Sequence, residues 1–415
     1  MLEFYFQDPD TVQRIRKGPF GLYIDSFADE LKRAGYSWQS AQQHVLFTEA
    51  FGAWLKFSRV DVNRVTLQHV DKYVCYRERH QQRTKGTGIL TALKRIVKIV
   101  READMAGGDV VQDKRTPVEK MVDEFDHYLL QDRGLVAVTM QCYSQFVKKF
   151  LTNRFKSGPV ELGELRPKDV LNFVQVSARS QSVKRLKLLV TSLRSFFQFA
   201  RYRGYIVLDL GACVPTVADW SKTEIPRALP MAKIKSILSQ CKRNTAIGRR
   251  DYAILLLIAR LGLRANEVAT LKLEDIDWKE GHIVVRGKGR KACKMPLPSD
   301  VGEAITAYLK DGRPNKSTSR NVFLRRRAPY NGFTSGSALG SAVRNAIQRS
   351  GVATTRKGAH QFRHGLAVHM LEQGASLTEI AEVLRHASLE TTAIYAKVDI
   401  ASLRTLGLAW PGGEQ

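Results

Sequence analysis

Apolar residues in the first half of the chain recur at spacings of three and four, the pattern of helices that bury one face. Phe27, Leu31 and Ala34 form one such stripe, Val45, Phe47, Phe51 and Leu55 a second, and Leu90, Leu93, Ile96, Val97 and Val100 a third. Ala106-Gly107-Gly108-Asp109 reads as a linker, so residues 1–112 are expected to form one helical module. Residues 113–225 continue the helical pattern and close in a polar, proline-bearing stretch between Val214 and Pro226. The remainder, 226–415, mixes helices with one β element. His282–Arg286 reads as a strand, Gly287-Lys288-Gly289-Arg290 as a tight turn and Ala292–Leu297 as the return strand. The expected fold is mainly α with a small β-sheet, and 415 residues are too many for one ordinary core.

The two helical blocks look like copies. Val65–Val74 matches Leu165–Val174 at an offset of one hundred residues, and Thr91-Ala92-Leu93-Lys94 precedes Thr191-Ser192-Leu193-Arg194 at the same offset. One offset held across two segments points to an internal duplication, although any two amphipathic helices match to some degree.

Charge narrows the partner. Lys plus Arg number 66 against 40 Asp plus Glu, a formal charge of +26, which draws in polyanions. That excess is spread along the chain and not gathered on one amphipathic helix, and no run of eighteen apolar residues occurs, so a membrane partner is disfavoured. The N-terminus lacks the basic lead and apolar run of an export signal. Five scattered cysteines without a CxxC spacing argue against a disulfide framework or a zinc site and suit a reducing cytoplasm. Between Asp169 and Asp209 no acidic residue interrupts Arg179, Lys184, Arg185, Lys187, Arg194, Arg201 and Arg203. Such a run is often only a solvated face, but with Phe196, Phe197 and Phe199 supplying the buried side it reads here as a phosphate-tracking helix.

Four segments of the last block carry chemistry. Asp251–Arg260 is too apolar for a surface helix and runs into Gly262-Leu263-Arg264-Ala265-Asn266-Glu267, which puts Arg264 at a corner beside buried structure with Glu267 as its natural partner. Lys288 sits between glycines at the hairpin tip. His360 and Arg363 share a helix face within His360-Gln361-Phe362-Arg363-His364. His360 and His364 have the i,i+4 spacing of a metal pair, but no HExxH glutamate accompanies them, so a phosphate clamp is preferred. The fourth segment runs from Leu384-Arg385-His386 to Thr391-Thr392-Ala393-Ile394-Tyr395.

In this order and spacing the four segments resemble the catalytic domain of the tyrosine recombinases, the phage-integrase-like family. The resemblance covers residues 226 to 400 and rests on the GLRxxE, GKG, HxxRH and TTxxIY patterns. It implies catalytic roles for Arg264, Lys288, His360, Arg363, His386 and Tyr395. Two departures stand out: Arg385 replaces the family's usual glycine before the second histidine, and Cys293 stands where an arginine is common. The resemblance further implies that 113–225 is a helical, SAM-like core-binding domain and that 1–112 is an additional module of similar type. It implies cleavage of double-stranded DNA by Tyr395 through a 3′-phosphotyrosyl intermediate, with no cofactor, ATP or metal. Four protomers on two synapsed sites, with or without sibling recombinases, and a mobile genetic element in the prokaryotic cytoplasm complete that expectation. The tail Asp399–Gln415, with Leu403, Leu406, Leu408 and Trp410, packs on its own domain or docks on a neighbour. A type IB topoisomerase-like strand transferase and a catalytically silent DNA-binding regulator are the competing functions.

Overall fold

The computed structural model describes residues 1–80, 88–105, 115–156, 158–218, 228–287, 292–315, 317–354, 358–386 and 388–398. Lys288, the linker 106–109 and the tail 399–415 lie outside these described residues. The chain divides into two compact units, Met1–Asp109 together with Ile225–Gln415, and Val110–Glu224.

The first unit opens with α1 (Leu2–Tyr5), α2 (Pro9–Lys17), α3 (Gly21–Arg33), α4 (Trp38–Phe57), α5 (Leu67–Arg79) and α6 (Ile89–Met105). Starts are marked by side chains that satisfy free N–H groups. The Asp8 carboxylate accepts from the amides of Asp10 and Thr11 ahead of α2, and Ser37 Oγ accepts from Ser40 N–H ahead of α4. The stripes read from the sequence form the core: Phe27, Leu31, Val45, Phe51, Leu55, Leu93, Ile96 and Val100 are fully buried. Leu90 is exposed instead, because the buried face of α6 runs through Ile89, Ala92, Leu93, Ile96, Val97 and Val100.

The second unit holds α7 (Pro117–His127), which runs into a wider π turn at Tyr128–Asp132, then α8 (Ala137–Phe155), α9 (Pro167–Ala178) and α10 (Val183–Tyr202). Thr116 and Glu119 form a reciprocal cap on α7, each side chain accepting from the other residue's backbone N–H. Phe125 meets Phe196 edge to face with ring centres 5.4 Å apart, and Phe150 meets Phe197 in the same way at 5.7 Å. Helix order in this unit repeats that of α3 to α6. There α3 and α4 lead through the one-turn 3₁₀ segment Val62–Arg64 to α5 and α6, as α7 and α8 lead through Leu162–Glu164 to α9 and α10, while α1 and α2 precede the repeat in the first module.

After residue 225 come α11 (Met231–Ser239), α12 (Ala246–Leu261), α13 (Ala265–Thr270) and strands β1 (Ile276–Asp277), β2 (His282–Arg286) and β3 (Ala292–Pro296). Then follow α14 (Ser299–Asp311), α15 (Gly336–Arg349), α16 (Ala359–Glu372) and α17 (Leu377–Leu384), with 3₁₀ turns at Leu389–Thr391 and Ala393–Val398. The strands form an antiparallel sheet in chain order, with Ile283 opposite Met295 and Val285 opposite Cys293. Helix α12 is buried from Ala253 to Ala259, as its apolar sequence requires, and α11, α13, α14, α15 and α16 pack around it. Where α16 crosses Leu229, a Cβ on Gly365 would lie 2.5 Å from the Leu229 carbonyl oxygen, so only glycine allows that approach.

Candidate active site

The site is assembled from three helix ends in the first unit. Helix α12 stops at Gly262, whose φ of 60° lies in the left-handed region. A Cβ there would come within 2.7 Å of Leu384 Cδ2. Gly262→Ala is expected to cost about 1–3 kcal/mol from backbone strain and crowding. Urea unfolding with an unchanged midpoint would contradict this.

The chain then extends through Arg264, the residue preceding α13. Glu267 in the first turn of α13 reaches back, with Oε2 accepting from Arg264 N–H and Oε1 from Arg264 Nη1, both at 2.9 Å. The pairing expected from their spacing is therefore present, yet the Arg264 side chain remains about one-third exposed. Its Nη2 donates to the Arg385 carbonyl at 3.2 Å.

Arg363, on α16, is buried. Its guanidinium donates to two main-chain carbonyls, those of Gly262 and Leu384, at the ends of α12 and α17. Among the described residues no carboxylate pairs with it directly. Burial first, then the charges of Arg264 and Arg385, lower its pKa to about 10, so it stays charged at neutral pH. A buried cation held only by carbonyl dipoles leaves a strong local field for an anion.

The C-terminal turns bring Tyr395 to α16. Its ring is 1% exposed, and its hydroxyl shares a 2.7 Å hydrogen bond with Nδ1 of His364. Burial pushes the phenol up to about 12, opposed by the charge of Arg363. Burial, then the neighbouring His360 and Arg363, holds His364 at about 4. His386 follows α17 and shares a 2.7 Å hydrogen bond with Oγ1 of buried Thr392. Burial and the charges of Arg363 and Arg264 set His386 at about 4 as well. His360 is more exposed, one turn before His364, with ring centres 6.4 Å apart. Partial desolvation, then Arg363 and Arg264, lowers its pKa too.

These histidines fix a pH dependence. His364, His386 and His44, which burial also lowers to about 4, stay neutral in the folded chain while their unfolded counterparts protonate near 6.5. The unfolded state thus binds more protons between those values, so stability falls as pH drops from about 6.5 towards 4. The loss is expected to reach roughly 3 kcal/mol for buried His44 and less for the partly exposed pair. A Tm that stays flat over this interval would refute it.

Arg264, His360, Arg363, His386 and Tyr395 are thus brought together, whereas Lys288 lies outside the described residues. Three residues not foreseen as participants join them. His364 holds the tyrosine, Thr392 holds His386, and Arg385 contacts Glu267 at 2.9 Å. Among the described residues no group of three or more His, Cys, Asp or Glu is arranged to hold a metal ion. No described helix is long and apolar enough to cross a membrane. A hollow of about 710 Å³ elsewhere in the same unit, between Tyr36, Trp38, Arg250 and Tyr330, shares no lining residue with this cluster.

In the second unit, Arg179, Lys184, Arg185 and Arg201 are exposed. Lys184, Lys187, Arg194 and Arg201 recur on one face of α10 at steps of three and seven. Arg194 donates to the Val214 carbonyl at 2.8 Å, Arg201 pairs with Asp209 at 3.2 Å, and the Arg185 guanidinium lies 5.4 Å from the centre of the Phe146 ring.

Residues 227–401 match the profile of the phage integrase family, and residues 122–204 match the N-terminal SAM-like domain of phage integrases. A Sinorhizobium fredii protein named as an integrase/recombinase, y4rA, is 44% identical over 99% of this chain and 100% of its own length. Tyrosine recombinase XerA of Thermococcus onnurineus is 30% identical over 69% of this chain and 94% of its own. The solved XerH site-specific recombinase in its post-cleavage complex with a palindromic difH substrate has the same fold. Its TM-score is 0.56 at 17% identity, covering 71% of this chain and 97% of that one.

Proposed function

The chain belongs to the phage integrase family of tyrosine recombinases, and from that premise we propose that it cuts and rejoins double-stranded DNA at specific sites with Tyr395 as nucleophile. The observation that carries this reading is Arg363, a buried cation that no carboxylate pairs with directly among the described residues, in the same cluster as a tyrosine hydroxyl. Three guanidiniums, those of Arg264, Arg363 and Arg385, face one carboxylate, Glu267, and two of the histidines titrate near 4. The cluster is therefore net positive at neutral pH, which suits a phosphodiester.

In the proposed step the Tyr395 oxygen bonds to phosphorus as its proton leaves through the hydrogen bond to His364. The bond from phosphorus to the 5′ oxygen breaks, leaving a 3′-phosphotyrosine. Arg264 and Arg363 meet the charge that grows on the non-bridging oxygens with charge-assisted hydrogen bonds. His386 and His360 assist by hydrogen bonding or proton transfer. Lys288 is assigned the proton for the departing 5′ oxygen through its place in the GKG pattern. Because Tyr395 is buried against His364, the turns from Ser388 to Val398 shift when it is presented to DNA. The phosphotyrosyl bond conserves the energy needed for rejoining, so neither ATP nor a metal enters the scheme.

Residues 113–225 serve as the core-binding domain, with Arg179, Lys184, Arg185, Lys187, Arg194 and Arg201 as its candidate phosphate contacts. The repeated helix order supports 1–112 as a second module of that kind, and 226–415 is the catalytic domain. Four protomers on paired sites, alone or with sibling recombinases, would carry out exchange for a mobile genetic element, on chromosomal or plasmid DNA in a prokaryotic cytoplasm. The test mixes purified protein with nicked DNA from the ends of its own element. A retarded, protease-sensitive band on a denaturing gel is expected. Specific binding without any band would favour the silent regulator.

A further inference from the structure

Arg385 departs from the family's usual glycine, and the backbone at this position explains the habit. Its φ of 54° and ψ of 50° are left-handed, a conformation that strains any residue with a Cβ by about 1–2 kcal/mol. A side chain that offsets such strain has to make contacts, and this one makes several. Its Nη2 donates to Glu267 Oε2 at 2.9 Å, and its Nη1 reaches Met295 Sδ on β3 at 2.6 Å and the Val383 carbonyl at 3.1 Å. The side chain is only 12% exposed and the Glu267 side chain 4%.

These contacts close a ring. Arg264 donates to Glu267, Arg385 donates to Glu267, and the Arg385 carbonyl accepts from Arg264. Charge distribution within it matters more than the count of bonds. Were Glu267 paired with Arg264 alone, its buried carboxylate would largely neutralise that guanidinium and hold it away from a phosphate. With Arg385 on Oε2, the carboxylate is shared between two cations, and Arg264 keeps net positive charge while its geometry stays fixed. Burial alone would raise the Glu267 pKa; the Arg264 amide and the charge of Arg385 reverse this and keep it ionised. The contact with Met295 ties the same ring to β3.

We propose that Arg385 is a positioning residue, which shares Glu267 with Arg264 so that Arg264 is both aimed and left with charge to spend on the scissile phosphate. The inference rests on the proposed DNA cleavage. Arg385→Gly is a favourable test because glycine suits the left-handed backbone, so the variant should fold with a Tm close to wild type. Its rate of covalent adduct formation on nicked DNA, in single turnover, is expected to fall about 10–100-fold, with DNA affinity changed by less than about threefold. Arg385→Lys, which keeps charge but not the fork, should recover part of the rate. In a Glu267→Gln background the same Arg385→Gly change should cost far less, because the two act through one another.

A purely structural role would instead lower Tm and leave the two losses additive, which overturns the proposal. An unchanged rate in Arg385→Gly, with adduct formed by wild type, sinks this inference and leaves the proposed function standing. No adduct from wild type at all removes both, since Arg264 would have no phosphate to meet.

Discussion

Tyr395→Phe is expected to abolish the covalent protein–DNA adduct entirely, because the Tyr395 hydroxyl is the cluster oxygen hydrogen-bonded to His364 and lying in the field of Arg363. The change removes one oxygen from a buried ring, so it should cost only about 1 kcal/mol of stability through the lost hydrogen bond to His364. Affinity for DNA should persist, since +26 of formal charge is spread over the chain and the phenol contributes none at neutral pH. The informative pattern is therefore a folded, DNA-binding protein with no adduct. An adduct equal to wild type would place the nucleophile elsewhere, and Thr392, which is buried against His386, would be the next hydroxyl to replace.

The second large effect is expected at Arg363. Alanine there removes a buried guanidinium that joins the ends of α12 and α17, leaves the Leu384 carbonyl without that donor, and leaves the Gly262 carbonyl with only the longer 3.4 Å contact from Arg385. Cleavage should fall by roughly 10³-fold or more, the scale of losing a preorganised donor to a charged transition state. Stability should also fall by about 2–4 kcal/mol, because a void and a carbonyl stripped of its donor remain. Arg363→Lys separates the two contributions. It retains charge but cannot span both carbonyls, so cleavage should stay at least about 10-fold below wild type. Rates from single-turnover trapping, beside urea unfolding of each variant, check this. A lysine variant with full activity would show that charge alone suffices at this position.

Much of the site was legible because its residues come in short ordered patterns. Arg264 three residues before Glu267, and the pair His360 and Arg363 on one helix, needed only helical spacing to be placed together. Helix α12 announced its burial by having almost no polar face. The hairpin's strands were marked by the β-branched run Ile283-Val284-Val285 and by the glycines that follow it.

What stayed hidden depended on tertiary contact. His364 drew attention as an i,i+4 partner for His360 and as the end of the HxxRH pattern, whereas its contact is with a tyrosine thirty-one residues later. Arg385 read as a disturbance of a glycine position, since nothing in its neighbours shows that its side chain would return to Glu267, 118 residues earlier. The carbonyls that hold Arg363 belong to Gly262 and Leu384, and a main-chain acceptor carries no sequence signature. In α6, the choice of Leu90 as a buried position failed because the face is set by where α3, α4 and α5 lie, and Ile89 took that place.

The most direct measurement is to locate the phosphate on the chain. Adduct formed on nicked DNA would be digested with nuclease and protease, and the peptide carrying the residual nucleotide sequenced by fragmentation mass spectrometry. The account predicts a single modified peptide with the phosphate on Tyr395, joined to the 3′ end of the cut strand. A nucleotide on any other side chain, or attachment through a 5′ phosphate, would contradict it.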